Sequence, residues 1–121
     1  MLQLMSDVPE DTVGITAKGS ISANDYENVL IPAIEEKLES HKKINIIYHI
    51  DKEFEKFELG AIWDDAKVGV QHFNCWDKIA IVSDVPWINN MTKAVRMVIP
   101  GQIKIYDNEH LFEAKKWVEK H

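Results

Sequence analysis

"KINIIYHI", residues 43–50, decides how this chain folds. Five of its eight residues are isoleucine or tyrosine, and four of those are β-branched, so the run is nearly continuous in apolar side chains. A strand covered on both faces requires such a pattern, whereas a strand with one wet face alternates. The stretch therefore predicts a central strand. Downstream, "KIAIVSD" (78–84) repeats the pattern in shorter form, and "GQIKIYD" (101–107) alternates through Ile103 and Ile105.

Helical spacing separates these strands. In "SANDYENVLIPAIEEKLESH" (22–41), Tyr26, Val29, Leu30, Ala33, Ile34 and Leu38 form one apolar stripe. Ser22 or Asn24 caps its start, with acidic residues at the positive end of the helix dipole. Pro32 forfeits a backbone hydrogen bond, which predicts a kink near Asn28 or a shorter helix. "VPWINNMTKAVRMVI" (85–99) places Trp87, Met91, Ala94, Val95 and Val98 on one face. "NEHLFEAKKWVEK" (108–120) puts Leu111, Phe112, Ala114 or Lys115, and Val118 around a terminal helix capped by Asp107 or Asn108. At the start of the chain, "LQLM" (2–5) and "TVGITAKG" (12–19) read as a hairpin through the turn-rich "SDVPED", with Val13, Ile15 and Ala17 on one face.

"FELGAIWDDAKVGVQHF" (57–73) supplies the remaining helix. Ile62, Ala66, Gly69 or Val70, and Phe73 fall on successive turns, and the acidic positions face outward. The order is ββαβαβαβα. This predicts an α/β single domain: a mixed β-sheet with parallel pairs made by right-handed crossover helices, plus an antiparallel contribution from the opening hairpin. With 121 residues and no linker or repeat, one core suffices without staples.

Charge and composition exclude some functions. Twenty acidic against fourteen basic residues give a net charge of -6, which repels phosphate backbones and argues against a nucleic-acid partner. A single cysteine, Cys75, cannot form an internal disulfide. The opening residues lack the basic and apolar regions of a signal peptide, and no run reaches the roughly 18 apolar residues of a spanning helix. The expectation is a cytoplasmic protein whose membrane contact, if any, is peripheral.

Three stretches carry a family resemblance: "GSISANDYENVLIPAIEE" (19–36), "FELGAIWDDAKVGVQHF" (57–73) and "DKIAIVSDVPW" (77–87). They are similar to the glycine-to-Asp-Tyr helix entry, the Leu-Gly-x-x-Trp-x-Asp helix and the Asp-ended strand of the SpoIIAA-like branch of the STAS superfamily. The resemblance spans nearly the whole chain and implies a fold more firmly than a function. An anti-sigma-factor antagonist of that superfamily carries a phosphorylatable serine in an Asp-Ser motif. Here the corresponding region, "DKEFEKFELGAIW" (51–63), has no Ser or Thr. Any antagonist-like role for this chain is thus expected to be independent of phosphorylation at that place. The branch is also similar to CRAL-TRIO lipid-binding domains, which implies lipid or other lipophilic ligands.

Catalytic and metal-binding signals are thin. Adjacent Asp64 and Asp65 point about 100° apart on a helix and do not converge as a catalytic pair. Asp64 has Lys67 as a helical neighbour, and Glu58 suits a helix start. His49 and Asp51 share a strand face and offer two metal ligands, while a structural zinc needs four. His72 and Cys75, three apart, have no evident orienting group for thiol chemistry. Gly60 and Gly69 lie in one helix rather than in a phosphate-cradling loop. We therefore expect no catalytic residues, no metal and no cofactor. Large apolar side chains near helix starts point instead to an apolar cleft formed by Trp63, Phe73, Trp87, Ile88, Met91 and Val95. The expected function is a non-catalytic binding or regulatory module for a small lipophilic ligand or protein partner, with peripheral membrane contact and homodimer formation left open.

Overall fold

The computed structural model describes residues 1–60, 75–98 and 101–120. Its middle strand is β3 (Ile44–Phe57), preceded by β1 (Leu2–Leu4) and β2 (Thr12–Ile21) and followed by β4 (Trp76–Val82) and β5 (Gln102–Tyr106). The sheet order is β1-β2-β3-β4-β5. β1 pairs antiparallel with β2, and every other pair is parallel. A central strand between parallel neighbours needs cover on both faces, and the sequence 43–50 provides it.

Ile44, Ile46, Tyr48 and Ile50 face one apolar cluster, shared with Ile15, Ile21, Tyr26, Leu30, Ile34 and Ile88. On the opposite face Ile47 joins Ala80, Val82, Ala114, Trp117 and Val118. Period-two alternation thus sorts one strand's side chains into two cores. The helix α2 (Ile31–Leu38) and the helix α3 (Pro86–Val95) serve the first face and α4 (Leu111–Glu119) serves the second, while the short α1 (Ala23–Asp25), which has no buried residue, leads into the segment before α2.

The first helical segment shows how local chemistry sets geometry. Ser22 caps it, and Asp25 completes a reciprocal capping box: the Asp25 N–H donates to Ser22 Oγ at 3.2 Å and the Ser22 N–H to Asp25 Oδ2 at 2.8 Å. Between α1 and α2 lies a π-helical turn, Tyr26–Leu30, in which the Ile31 N–H reaches back to the Tyr26 carbonyl. Pro32, in the first turn of α2, has no N–H for the Asn28 carbonyl, and its ring crowds that carbonyl. Widening the preceding turn is how the chain absorbs this. The expected kink near Asn28 is therefore realised as a π turn.

Three other expectations are adjusted. β3 continues past Ile50 to Phe57, because β2 and β3 keep pairing through two register shifts: Ala17 opposes Ile50, Gly19 opposes Phe54 and Ile21 opposes Phe57. Gly19 sits there with φ +62°, a conformation that a side chain would strain. The helix expected over 85–99 ends at Val95, and Met97 and Val98 lie exposed in a turn beyond it. The terminal α-helix starts at Leu111 after a 3₁₀ turn, Asn108–His110. Neither Asp107 nor Asn108 caps it through a side chain; the Asp107 carboxylate pairs with the His110 ring instead.

Two buried polar residues tie the second face together. Asn45, nearly inaccessible, accepts the Lys78 N–H at 3.0 Å and reaches Thr12 Oγ1 and the Val118 carbonyl at 3.4 Å each. It thereby fills the gap where the β3–β4 register shifts between Ile44 and Ile46. The Lys78 ammonium donates to the Trp117 carbonyl at 3.2 Å and to that of Lys120, placing a cation at the negative end of α4.

Candidate functional site

β3, the π turn and α3 enclose a cleft of about 160 Å³. The sheet contributes Tyr48, Ile50, Ile81 and Phe57; the π turn contributes Tyr26; α3 contributes Trp87, Ile88, Met91 and Thr92. Each arrives there for a local reason. Tyr48 and Ile50 are successive same-face residues of β3. Phe57 ends the strand where the second register shift leaves it opposite Ile21. The π turn carries Tyr26 at its first position, so its ring lies over the sheet rather than out in solvent; it is 1% exposed.

α3 is held at its start. Ser83 is buried, its hydroxyl accepts the Val85 N–H at 3.0 Å, and its carbonyl accepts from the Asn89 side chain at 3.0 Å. Pro86 then opens the helix, where a missing N–H costs nothing. Beyond that anchor, Ile88 is the one buried residue of α3. Trp87 (48% exposed) and Met91 (52%) form the rim. Thr92 Oγ1 donates to the Ile88 carbonyl at 2.8 Å.

The aromatic walls touch one another. Phe57 meets Trp87 edge-to-face at 6.1 Å between centroids and 85° between planes, and it meets Tyr48 at 6.4 Å and 68°. Phe54 leans on Phe57 at 4.9 Å. Edge-to-face pairs of this kind contribute beyond the area they bury, about 0.5–1.5 kcal/mol each. At the inner end the Tyr26 and Tyr48 hydroxyls are hydrogen-bonded at 2.8 Å.

Of the residues expected from sequence to line an apolar cleft, Trp87, Ile88 and Met91 do line this one. Val95 is the last residue of α3, partly exposed and not part of the lining. Trp63 and Phe73 lie outside the described residues, as do Asp64, Asp65 and His72. Tyr26, Tyr48 and Phe57 complete the wall although the sequence reading did not single them out for a site. Tyr48 was signalled by its same-face spacing with Ile46 and Ile50. Phe57 was not, because the register shifts break the period-two pattern that would have pointed to it.

The remaining polar candidates stand apart. His49 is half-buried with Nδ1 3.5 Å from Thr16 Oγ1. Burial lowers its pKa below the ordinary value; Asp51 opposes that, while Lys115 and Lys18 reinforce it. Asp51 accepts the Glu53 N–H at 3.1 Å in a local turn. Glu58 is exposed, and its N–H donates to the Ile21 carbonyl at 2.8 Å. Cys75 is a free, partly buried thiol. Among the described residues no group of three His, Cys, Asp or Glu side chains could hold a metal ion. No helix among them is long and apolar enough to cross a membrane.

A five-stranded mixed sheet with this connectivity, helices on both faces and a cleft under α3, defines a STAS-type α/β domain. The family model described as SpoIIAA-like matches residues 12–119, and the chain belongs to that family. It is similar to a crystallographically solved, uncharacterized protein of the DUF3478 family with a SpoIIAA-like fold from Shewanella loihica PV-4. The two share 26% identity over 97% of this chain and 93% of the other, with a TM-score of 0.75. No curated protein matches the chain. Family membership is consistent with a regulatory or protein-interaction module.

Proposed function

We propose that this chain is a non-catalytic binding or regulatory module that takes a small lipophilic ligand into the cleft beneath α3. The observation that carries this reading is the cleft itself, a concavity walled by Tyr26, Tyr48, Phe57 and Trp87 and closed by Ile88 and Met91. Drug-sized ligands need pockets of roughly 300–1,000 Å³, whereas an apolar cavity of about 150 Å³ accommodates a single benzene ring. At about 160 Å³ the cleft takes one ring or one short branched chain.

Native mass spectrometry of protein purified from its own host, followed by a toluene titration monitored by NMR, tests the reading. The expected result is a stoichiometric small adduct or saturable toluene binding, weakened at least tenfold by Trp87→Ala in a protein that remains folded. A clean apo mass together with no toluene binding overturns it. So does a Trp87→Ala protein that stays folded and binds as well as the wild type.

One further observation favours peripheral contact with an anionic lipid surface. Trp87, Met91 and Val95 leave an exposed apolar ridge on α3, with Lys93 and Arg96 exposed beside it. From Val85 to Tyr106 the sequence holds Lys93, Arg96 and Lys104 and no acidic residue, in a chain whose net charge is -6. Each basic residue near an anionic leaflet contributes about 1 kcal/mol. Co-sedimentation with phosphatidylserine-containing vesicles but not with pure phosphatidylcholine vesicles is expected. Equal recovery with both would remove the electrostatic basis.

A further inference from the structure

On the side of the sheet away from the cleft, α4 buries Ala114, Trp117 and Val118 and turns a different set of residues outward. Phe112 is 65% exposed there, with the Lys116 ammonium 5.2 Å from its ring centroid. Beside it is a shallow hollow of about 290 Å³ whose lining includes Leu111, Lys115, Lys116 and Glu119. The aliphatic stems of two lysines offer surface on which an aromatic ring packs. Around this spot the charges are blocked by sign. Glu109 and Glu113 are exposed at the start of the helix, and Lys116 and Lys120 at its end. The helix dipole favours those signs, yet within one helix the arrangement sets like charges four residues apart, Glu109 with Glu113 and Lys116 with Lys120, which is unfavourable. Turned end for end, the same row complements itself. A second α4 running antiparallel about a two-fold axis midway between Ala114 and Lys115 places Glu109 opposite Lys120 and Glu113 opposite Lys116, each twice over. The same axis sets Glu119 opposite His110. It also brings each Phe112 level with the other copy's Lys116, beside the other copy's hollow.

We propose that the outward side of α4 is the surface through which two copies of this chain associate, as an antiparallel two-fold pair with Phe112 of each copy seated in the hollow of the other. A two-fold contact is self-complementary by necessity, and one row of charges that matches its own reverse meets that requirement. The two phenylalanines supply an aromatic anchor beside the axis, and the paired charges form the rim that fixes orientation. α4 has nine residues, so it is about 13–14 Å long. A helix pair of that length sits at the small end of specific interfaces, and each copy carries a net charge of -6 that opposes approach. The dimer is therefore weak and forms with rising concentration. Because α4 and the cleft occupy opposite faces of the sheet, association leaves both clefts open.

Analytical ultracentrifugation of the full chain between about 10 and 1,000 μM should show monomer passing into dimer within that range. Phe112→Ala should weaken the dimer at least tenfold, as for other aromatic anchors. Glu113→Lys and Lys116→Glu, made separately, each set like charges face to face and should weaken self-association about three- to tenfold. Mixed in equal amounts, with a fluorescent label on one, the two reversed proteins should prefer each other to themselves, since the Glu113–Lys116 contacts regain opposite signs. A role confined to one helix would produce no such preference. Phe112, Glu113 and Lys116 are all exposed, so none of the variants removes a core contact, and circular dichroism verifies each fold. A monomer at every concentration overturns the proposal. So does a dimer that Phe112→Ala leaves unchanged, or a pair of charge-reversed proteins that shows no preference for each other.

Discussion

Replacing Ile88 with alanine should release α3 from the sheet while the sheet itself stays folded. α3 has ten residues, and an isolated helix of that length is marginal in water, so it is helical only while docked. Its docking rests on Ile88, 6% exposed, on the half-exposed Trp87 and Met91, and on the two hydrogen bonds to Ser83. Burying an isoleucine and then truncating it costs about 2–5 kcal/mol, and a site beside an open cleft belongs at the lower end. Taking about 2–3 kcal/mol, amide exchange across residues 86–95 should accelerate about 30- to 150-fold. Hydrogen-exchange mass spectrometry resolves this directly, with peptides from β3 and β4 as internal controls. Protection in the sheet should change little, because Ile88 is one of many residues in that core and α3 opens without it. An equal loss of protection in β3 and β4 would show that α3 is not a separately opening element. No change in α3 would show that Ile88 does not anchor it.

Other expectations follow from the same contacts. Ser22→Ala removes the capping box of α1 and should lower unfolding stability by about 1 kcal/mol, measured by urea titration; an unchanged midpoint would refute the cap's contribution. Asn45→Ala strands the buried Lys78 N–H and should cost about 1–3 kcal/mol in the same assay, while Asn45→Asp restores that acceptor only. His49 provides a pH signature. Its folded pKa is held below about 6.5 by burial, so between the two values the unfolded chain binds the extra proton and stability falls as pH drops through about 6.5. His110, raised by Asp107, works the other way, favouring the folded state below that pH, but it is fully exposed and screened. Melting temperatures between pH 7.5 and 5.5 should therefore decline more steeply for wild type than for His49→Gln, and parallel slopes would sink the assignment. Gly60→Ala places a Cβ 2.9 Å from that of Ala23, so it should destabilise by about 1–3 kcal/mol in thermal melts unless the two segments separate.

Much of the architecture was legible because local periodicity reports which faces are buried. The run at 43–50 announced a strand between two cores, and the spacing of Tyr26, Leu30 and Ile34 announced the stripe that covers one of them. Ser22 and Pro32 marked a helix start and its interruption, since capping and a missing N–H act within four residues. Trp87, Ile88 and Met91 were legible as a cluster of apolar groups at a helix start. The far wall of the cleft was not. Phe57 is three residues from Phe54, a spacing that means nothing until two register shifts turn it toward Trp87. Asn45 and Lys78 look like ordinary polar interruptions in strands, and their purpose appears only when β3, β4 and the end of α4 meet.

By itself, then, the sequence determined the strands and helices seen among the described residues, the central place of residues 43–50 and the inward faces of β3 and of the Tyr26–Leu38 segment. These are properties of the chain within one or two helical turns or strand repeats. The faces expected for the 85–99 and 108–120 helices differ, with Trp87, Met91, Val95, Val98 and Phe112 exposed and Ile88 and Trp117 buried instead. Tertiary structure decided that Tyr26 and Tyr48 would share a hydrogen bond across 22 residues, and that β3 would run on to carry Phe57 beneath α3. It also decided that α3 would lie over the sheet and leave a cleft of about 160 Å³ there. Those outcomes depend on pairing register and on the packing of elements distant in sequence, for which no local pattern carries a signal.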